Sequence, residues 1–422
     1  MTSNGKPRVV VLGGGFAGLE SAFLLRSKLG DRVDITLVSD KDEFLFKPNT
    51  IYIPFGGSVE SLLIPLDTPA GKRQIRRVSG SFESLDKEQR TIRVGGHELP
   101  YDYLVLATGA GMSPEEVPGL ADHAETIWTP EEMSALGDRL DDLVERSADG
   151  ARRKLLFLVP QNNKCAGPLY EIVLMVDTWL RRKHVRDRFD LVWASYEPTY
   201  IAAFGPKLHD VVVEEFDKRG IEGHTSWRVS AVDETGADFE DGQRLEFDLL
   251  IAFPPYVAAV RYEGLTQDER GFLQTDLGSR RVAGEDRIYA PGDAGDFPVK
   301  QAFLAFLQAD ATAEDIAARI EGREPAFAFD PVSMCVMEEF DKATFAQVPL
   351  RVTGDPAHPV EVRPGANGAY RVGTSRAWRL GKKMLGLYLP LRFRAGKPFH
   401  AGAPWRAMEV GLSAMSSALA RK

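Results

Sequence analysis

The chain has 422 residues, of which 44% are hydrophobic and 27% are charged, with two cysteines and a formal net charge of −9. At roughly 100–200 residues per domain, this length predicts two or three domains with sizeable cores, and the composition excludes disorder and a collagen-like repeat. Two cysteines are too few for a disulfide framework, which favours a reducing compartment.

The first predicted unit is a strand, a glycine turn, a helix and a second strand, all within about 30 residues. A β-branched run at 8–12 predicts a buried strand, and the second strand falls at 33–38. Between them, Gly13 allows a tight turn, Gly15 lets a pyrophosphate approach the backbone, and Gly18 lets helix and strand pack closely. This order of elements predicts a dinucleotide site with the phosphates at the helix N-terminus.

Other residues around this turn are candidates for contacts with the nucleotide. The side chain that holds a ribose is expected at the end of the second strand, where Ser39 stands in place of an acid and Asp40 follows. Either side chain can hydrogen-bond a hydroxyl group. Phe16 and Ala17 inside the turn, and Pro48 beyond the second strand, complete the candidates.

A second unit with the same order of elements begins near residue 154, with a strand at 155–159, a helix at 169–180 and a strand at 191–194. The glycine turn is not repeated. The loop instead contains a proline and bulky polar residues, Pro160-Gln161-Asn162-Asn163-Lys164. A pyrophosphate would meet side chains there, so the second nucleotide site is predicted to be disabled.

Two later segments distinguish FAD from NAD. Residues 103–109 and 288–293 resemble the second and third FAD-contacting motifs of the two-dinucleotide-domain flavoprotein reductases. The resemblance implies that Asp293 binds the ribityl chain of FAD. It also implies contacts between FAD and Ala107, Thr108, Gly109 and Gly292.

The chain further resembles sulfide:quinone oxidoreductases and flavocytochrome c sulfide dehydrogenases, which carry a Cys-x-Gly-Pro-x-Tyr-Glu segment. Here that segment reads Cys165-Ala166-Gly167-Pro168-Leu169-Tyr170-Glu171. The resemblance implies that Cys165 pairs with Cys335 and that Glu171 acts as an acid–base. It also places Lys300 near the flavin, where the ammonium group would neutralise the reduced flavin anion.

The chemistry of sulfide oxidation suits these residue types. A disulfide supplies an electrophilic sulfur, so HS⁻ attacks it and leaves a persulfide and a thiolate, and the thiolate passes two electrons to the flavin. Lys164 and the helix N-terminus are expected to lower the thiol pKa of Cys165. An isolated cysteine is most often a small buried hydrophobe, but both cysteines of this chain fall at the two family positions.

The charge is divided unevenly along the chain. Residues 371–422 contain eleven Lys and Arg side chains and one acid, a net charge of +10, whereas the residues before them contain 41 basic and 60 acidic side chains, a net charge of −19. This asymmetry predicts a partner for the tail, which is anionic lipid, nucleic acid or the acidic body itself. No nucleic-acid recognition motif is present, which disfavours nucleic acid.

The composition of the tail favours a membrane surface. Large apolar residues are mixed with bases in a helix at 378–394, and Trp378, Tyr388 and Trp405 suit an interfacial belt. Pro390 is expected to kink or end this helix. A helix packed on the acidic body is the alternative. No apolar run reaches the ~20 residues that span a bilayer, and no signal peptide is expected.

The sequence therefore predicts an α/β fold with two Rossmann-like dinucleotide-binding domains, the second degenerate, and a C-terminal membrane-contact region. The predicted parts are a first FAD-binding segment, a second Rossmann-like domain, a second FAD-binding segment and a C-terminal region with the basic tail, at 1–118, 119–255, 256–325 and 326–422. The seven histidines show no ligand spacing, so no metal site is predicted.

The predicted function is FAD-dependent oxidation of sulfide, or of another small sulfur donor, with electron transfer to a membrane quinone. The predicted location is the cytoplasmic, inner face of the cell membrane, reached through the basic tail, and a homo-oligomer is compatible with the sequence. Two alternatives stay open: a type II NADH:quinone oxidoreductase, and a non-catalytic flavin-binding redox sensor or scaffold.

Overall fold

The computed structural model describes residues 5–366, 368–400 and 402–419. Residues 1–4 and the tail residues Arg421 and Lys422 lie outside this range. The elements of the first part are β1 (Arg8–Leu12), α1 (Phe16–Leu29), β2 (Asp34–Ser39), β3 (Glu43–Leu45), β4 (Leu63–Pro65), α2 (Asp67–Lys72), β5 (Arg76–Ser79), β6 (Phe82–Asp86), β7 (Thr91–Val94), β8 (His97–Pro100), β9 (Tyr103–Leu106) and β10 (Ala110–Met112).

The middle of the chain forms the second unit. Its elements are α3 (Leu120–His123), β11 (Ala124–Thr126), α4 (Pro130–Arg146), β12 (Arg153–Val159), α5 (Gly167–Arg182), β13 (Phe189–Ser195), α6 (Pro206–Arg219), β14 (Ile221–His224), β15 (Val229–Val232), β16 (Gly236–Phe239), β17 (Arg244–Glu246) and β18 (Leu249–Ala252).

The remaining elements return to the first unit and then form the C-terminal region. They are β19 (Tyr256–Ala258), β20 (Ile288–Tyr289), α7 (Ala302–Glu321), β21 (Val332–Glu338), β22 (Ala343–Val352), β23 (Val360–Val362), β24 (Arg371–Ser375), α8 (Arg376–Arg394) and α9 (Ala403–Leu419). Short 3₁₀ segments join several of these elements, and the longest is Lys47–Phe55.

Two parallel sheets form the centre of the molecule. The first has the order β20-β9-β1-β2-β5 and the second the order β11-β18-β12-β13-β14. Their central strands are almost wholly buried; Val9 and Val11 are 0% exposed, which is typical of strands covered on both faces. Both central sheets therefore confirm the predicted α/β fold with Rossmann-type units, whereas the membrane-contact region remains a prediction.

The C-terminal region is an antiparallel sheet followed by two helices. β21 pairs with β22 over its whole length, and β22 also pairs with β24. The Ser375 hydroxyl then caps α8 by accepting the N–H of Trp378 at 3.2 Å. α8 continues through Pro390 to Arg394, so this proline does not end the helix. Among the residues described, no helix is long and apolar enough to cross a bilayer.

α8 buries one side of its surface, and this corrects part of the sequence prediction. Trp378 was expected at a membrane interface, but it is 1% exposed and its ring stacks on Phe345 with centroids 4.1 Å apart. The buried side also includes Leu389, Pro390 and Phe393. Apolar contacts of these side chains with the rest of the protein hold α8 in place.

A buried polar cluster ties the segment after α8 to the first unit. The Glu20 carboxylate accepts the N–H of Phe399 at 2.7 Å and that of His400 at 3.0 Å, and His400 Nδ1 lies 2.7 Å from an Asp310 carboxylate oxygen. Glu20 belongs to α1 and Asp310 to α7. The three side chains offer ligand atoms within 4.8 Å of one another, a proximity that the spacing in the sequence does not reveal.

This cluster makes the stability of the fold depend on pH. Burial, and then the nearby Asp310 carboxyl group, raise the pKa of Glu20 from its ordinary 4.5 to about 8. At pH values between these two, the folded state therefore keeps a proton on Glu20 that the unfolded chain has lost. The stabilisation that comes from this proton is complete below the lower pKa and is lost as pH rises through the upper pKa.

We expect Glu20→Gln to flatten this dependence, because glutamine stays neutral and still offers an acceptor oxygen. The free energy of unfolding of the wild-type protein should fall more steeply between pH 4.5 and about 8 than that of the variant. Chemical denaturation across this range measures both slopes. Glu88→Gln, at an exposed site, removes the same charge and serves as the control; equal slopes for wild type and Glu20→Gln would contradict the prediction.

Candidate functional site

The glycine turn after β1 brings bare backbone into close contact. A Cβ on Gly18 would lie 1.9 Å from the Gly13 carbonyl oxygen, and one on Gly13 would lie 2.2 Å from the carbonyl oxygen of Ala107. Gly13 also has a φ of 119°, a left-handed conformation that favours glycine. Gly15 is different because it faces open space within 4 Å and precedes the first turn of α1. The free N–H groups there suit an anion.

A cavity of about 790 Å³ extends from this turn to the C-terminal helices. The predicted site residues that line it are Gly13, Gly15, Phe16, Ala17, Ser39, Asp40, Pro48, Ala107, Thr108, Gly109, Cys165, Glu171, Asp293, Lys300 and Cys335. Gly18 and Gly292 do not line the cavity. The Gly292 N–H donates to the Gln308 side chain at 3.0 Å, which links the Gly-Asp turn to α7.

The end of β2 offers two different side chains. Ser39 is buried, and its hydroxyl accepts the N–H of Lys41 at 3.1 Å. Asp40 is exposed at the rim of the cavity. Of the two, Asp40 is therefore the side chain that is free to meet a hydroxyl group of a ligand.

Asp293 interacts electrostatically with two lysines that line the same cavity. Burial raises the pKa of its carboxyl group, while Lys300 and then Lys47 lower it. Burial lowers the pKa of both lysines to about 7. Lys300 donates to the Gly295 carbonyl oxygen, and Lys47 Nζ lies 2.8 Å from the centroid of the Trp128 ring. Sequence reasoning missed Lys47; its only local signal is its position next to Pro48.

The two cysteines come from distant elements but line the same cavity. Cys165 stands just before α5, and Cys335 lies in the middle of β21 opposite Ala346. They form no disulfide in this structure. Burial raises the thiol pKa of Cys165, and the neighbouring Cys335 raises it further. The two sulfur groups are therefore close enough to interact electrostatically.

The expected lowering of the Cys165 pKa is wrong. The Gly167 N–H at the start of α5 does lower it, but burial acts in the opposite direction and is larger. The Lys164 ammonium does not offset this effect, because its own pKa is lowered by partial burial and it interacts with Asp268. Burial also raises the pKa of Cys335 to about 12.

Glu171 lies on the first turns of α5 and is bound by residues of the C-terminal region. Its carboxylate accepts the Glu338 N–H at 2.7 Å and forms an ion pair with Lys382 of α8. Lys382 also donates to the Val336 carbonyl oxygen at 2.7 Å, one residue beyond Cys335. Burial raises the pKa of Glu171, although Lys382 opposes this shift.

A second contact of α8 lies beside this ion pair. The Glu338 carboxylate is fully buried and accepts from Arg379 Nε at 2.9 Å and from the Tyr52 hydroxyl at 2.7 Å. The sequence assigns Lys382 and Arg379 to a basic tail whose partner is a membrane or the acidic body. In the structure Lys382 lines the cavity and pairs with Glu171, and Arg379 pairs with the buried Glu338. Only the fold shows this, because 211 residues separate Glu171 from Lys382.

The loop between β12 and α5 is filled by its own side chains. The Asn163 side chain is 5% exposed and donates to the Phe253 and Pro254 carbonyl oxygens at 2.9 and 3.1 Å. The Gln161 side chain donates to the Val229 carbonyl oxygen at 3.0 Å. These contacts fill the loop after β12, which is where the glycine turn of a dinucleotide site stands in this type of unit.

The first crevice, in contrast, has the properties that FAD requires. Its glycine turn leaves open backbone at Gly15, its helix N-terminus suits a pyrophosphate, and the half-buried Asp293 offers a carboxylate acceptor for hydroxyl groups in the cavity wall. The residues present therefore fit the cofactor that the resemblance implies.

Comparisons with known proteins agree with this geometry. Residues 7–146 match the family model described as pyridine nucleotide-disulphide oxidoreductase. The sulfide-quinone reductase of Aquifex aeolicus is 28% identical over 242 residues, which cover 55% of this chain and 54% of that protein. A type II NADH:quinone oxidoreductase of Mycobacterium tuberculosis is 27% identical over 252 residues, covering 56% of this chain and 53% of that protein.

A solved structure shows the same fold. The crystal structure of the sulfide:quinone oxidoreductase from Aquifex aeolicus superposes with a TM-score of 0.84, covers 96% of each chain and is 20% identical in sequence. Together these matches confirm the predicted resemblance, the FAD cofactor and the class of FAD-dependent oxidoreductase. The aligned region spans about half the length of the curated relatives named above, so the reaction and the partners of this flavoprotein are matters for proposal.

Substitution of a tightly packed glycine and of an open glycine in this turn should cause different defects in folding and flavin binding. Gly18→Ala places a methyl group against the Gly13 carbonyl oxygen, so both folding and flavin content should be lost. Gly15→Ala meets no protein atom, so the protein should fold but bind FAD with a Kd about tenfold higher, equivalent to about 1.4 kcal/mol. Flavin absorbance per protein and thermal unfolding measure both effects. Gly71→Ala in α2, which also faces open space, is the control, and a Gly18→Ala protein with normal flavin content would contradict the prediction.

Proposed function

We propose that this flavoprotein oxidises sulfide, or another small sulfur donor, through Cys165 and Cys335 and transfers the electrons through FAD to a quinone. One observation carries the proposal. Both cysteines line the cavity that fits FAD, whereas the crevice that would hold a nicotinamide dinucleotide is filled by side chains. The relatives named sulfide-quinone reductase and sulfide:quinone oxidoreductase support the same substrate class.

The proposed reaction begins with Cys165 and Cys335 joined as a disulfide. HS⁻ attacks one sulfur, so a new sulfur–sulfur bond forms while the disulfide bond breaks, and a persulfide and a cysteine thiolate result. The substrate sulfur is oxidised, and the electron pair of the broken bond remains on the thiolate. A second sulfur nucleophile then removes the outer sulfur of the persulfide, and the two reduced cysteines must lose two electrons to restore the disulfide.

FAD, when bound, supplies the acceptor for these two electrons and returns them to a quinone. Asp293 and the glycine turn are the groups that would hold it, and the buried Lys300 and the half-buried Lys47 add positive charge to the wall of the cavity. Positive charge there favours the entry of HS⁻ and stabilises negative charge that develops on the acceptor.

Glu171 is the proposed proton carrier of the site. Its buried carboxylate lines the cavity with the two cysteines and interacts electrostatically with both of them. Its raised pKa brings it closer to the range in which a carboxyl group exchanges protons at neutral pH. Lys382 opposes that shift, so the ion pair sets the balance between the two protonation states.

The quinone is proposed to enter between the C-terminal helices. Leu385 and Leu389 of α8 and Leu412 of α9 line the same cavity as the cysteines, together with Phe399 and Trp405. An apolar passage of this kind suits a lipid-soluble ring. It also places the acceptor near the part of the molecule that carries the basic tail.

The outer face of α8 supports docking on an anionic membrane. Leu380, Met384, Leu387 and Leu391 recur at helical spacing on this face and are between 61% and 70% exposed. Exposed basic side chains border the stripe, namely Arg376, Lys383, Arg394 and Lys397. An apolar stripe flanked by bases is typical of a helix that lies in the interface of a bilayer. The cytoplasmic location, the bounds of the four predicted parts and a homo-oligomer remain predictions.

Anaerobic addition of sulfide to the purified protein tests the reaction. We expect rapid bleaching of the flavin, and we expect Cys165→Ser and Cys335→Ser each to slow it by roughly a thousandfold, because a hydroxyl group forms neither a disulfide nor a persulfide. Met334→Leu changes a neighbouring cavity residue without removing a thiol and should bleach at the wild-type rate. A flavin that sulfide does not reduce would reject the proposal.

The same measurement of flavin bleaching separates the alternative functions. Several relatives are type II NADH:quinone oxidoreductases, and that activity would bleach the flavin with NADH. The filled crevice at Asn163 predicts that NADH leaves the flavin oxidised on the time scale of the sulfide reaction. A redox sensor or scaffold would show no quinone reduction with any of these donors.

Vesicle binding tests the membrane surface. Leu387→Glu places a charge in the apolar stripe and should abolish sedimentation with vesicles of phosphatidylserine and phosphatidylcholine, while sulfide still bleaches the flavin. Val213→Glu alters an exposed valine of α6 and should sediment like wild type. Binding that persists in Leu387→Glu, or that wild type lacks, would contradict the docking surface.

A further inference from the structure

Asn163 lies in the second unit, in the loop that follows β12. The sheet order places β18 on one side of β12 and β13 on the other. The crevice at the carboxyl ends of β12 and β18 is therefore the point at which strand order reverses, where doubly wound sheets bind their dinucleotides. The Asn163 side chain occupies this crevice and is buried.

The contacts of Asn163 connect this crevice with the reactive cysteine. Its amide nitrogen donates to the Phe253 and Pro254 carbonyl oxygens, at the end of β18. Its side-chain oxygen accepts the Cys165 N–H at 2.9 Å, an Asx turn that leads the chain towards α5. Its own carbonyl oxygen accepts the Tyr196 hydroxyl at 2.8 Å. A buried amide with these partners has one strongly preferred orientation.

The other amides of the loop make different contacts. Gln161 donates to Val229, away from the cysteine, and Asn162 donates to the Glu116 carboxylate at 3.2 Å in an exposed position. Asn162 also has a φ of 67°, which turns the chain sharply before Asn163. Among these three amides, only Asn163 joins the end of β18 to the backbone of Cys165.

We propose that Asn163 is a positioning residue, which uses the dinucleotide crevice as an anchor to hold the sulfur of Cys165 in the wall of the FAD cavity. One side chain thus closes the site to a nicotinamide cofactor and orients the cysteine. The inference rests on the proposed function only in so far as Cys165 reacts with the sulfur donor. The position of the thiol itself is a separate property that can be measured without sulfide.

The consequence for reactivity follows from burial. The thiol of Cys165 is half-buried in the wall of the cavity, and this burial is the main reason that its pKa is raised. If Asn163 no longer holds the backbone, the thiol becomes more exposed to water and ionises at lower pH. Alkylation of Cys165 should then become faster at neutral pH, while reaction with sulfide becomes slower because the cysteine has lost its orientation.

The test compares Asn163→Ala and Asn163→Asp with wild type and with Gln161→Ala, all as purified FAD-bound protein. The proteins are reduced with a trialkylphosphine, and iodoacetamide labelling of the Cys165 peptide is followed by mass spectrometry across pH. We expect Asn163→Ala to shift the alkylation profile to lower pH and to slow flavin reduction by sulfide roughly tenfold or more. Asn163→Asp keeps the acceptor for Cys165 but loses the donor to β18, and it should be slowed as well. Gln161→Ala should match wild type in both measurements.

The outcomes separate the two proposals. Flavin content and the melting temperature show that each variant is folded. An alkylation profile of Asn163→Ala that equals the wild-type profile overturns the positioning role, whatever sulfide does. If sulfide fails to bleach the wild-type flavin, the proposed function is overturned, and the alkylation profiles still decide the role of Asn163.

Discussion

The binding properties of this protein depend on which residues stand in the crevice at the carboxyl end of each of its two parallel sheets. In the first sheet, the approach of Gly18 to the Gly13 carbonyl oxygen leaves no room for a side chain, and open backbone remains at Gly15. In the second sheet, the corresponding crevice is closed by Asn163. The same architecture therefore makes one site for a dinucleotide and one wall for a cavity. The difference lies in a few residues of two loops, while the sheets and helices around them are alike.

α8 connects the cavity with the surface of the molecule. Its inner side carries Lys382 and Arg379 to Glu171 and Glu338, and its outer side exposes the stripe around Leu387. Four large apolar side chains left in water are unfavourable, since burial of each is worth about 1.5–3 kcal/mol. A surface that covers the stripe would hold α8 more firmly. The ion pair of Glu171 and Lys382 would then be held with it.

Local patterns in the sequence predict the glycine turn and the strand, loop and helix around Cys165, because each depends on neighbours within one strand–loop–helix unit. Asp293 and Cys335 are assigned through the family resemblance instead, and the strand β21 that carries Cys335 is not predicted. Lys382 could not be predicted, because its partner Glu171 lies 211 residues away, and a lysine in a basic tail gives no sign of pointing inwards. The pKa of Cys165 was predicted in the wrong direction for a related reason. Lys164 and the start of α5 are visible in the sequence, whereas burial by residues from other elements is not.

The surroundings of the two sulfur atoms are unequal, and this difference bears on the order of the proposed reaction. Burial raises the thiol pKa of both cysteines, and the Glu171 carboxylate raises both further. The two differ in a positive charge, because Lys382 lowers the pKa of Cys335 and donates to the Val336 carbonyl oxygen one residue beyond it. In thiol–disulfide exchange a sulfur whose thiolate is stabilised leaves faster. We therefore expect HS⁻ to attack Cys165, which would carry the persulfide, and Cys335 to leave as the thiolate on the side of Lys382.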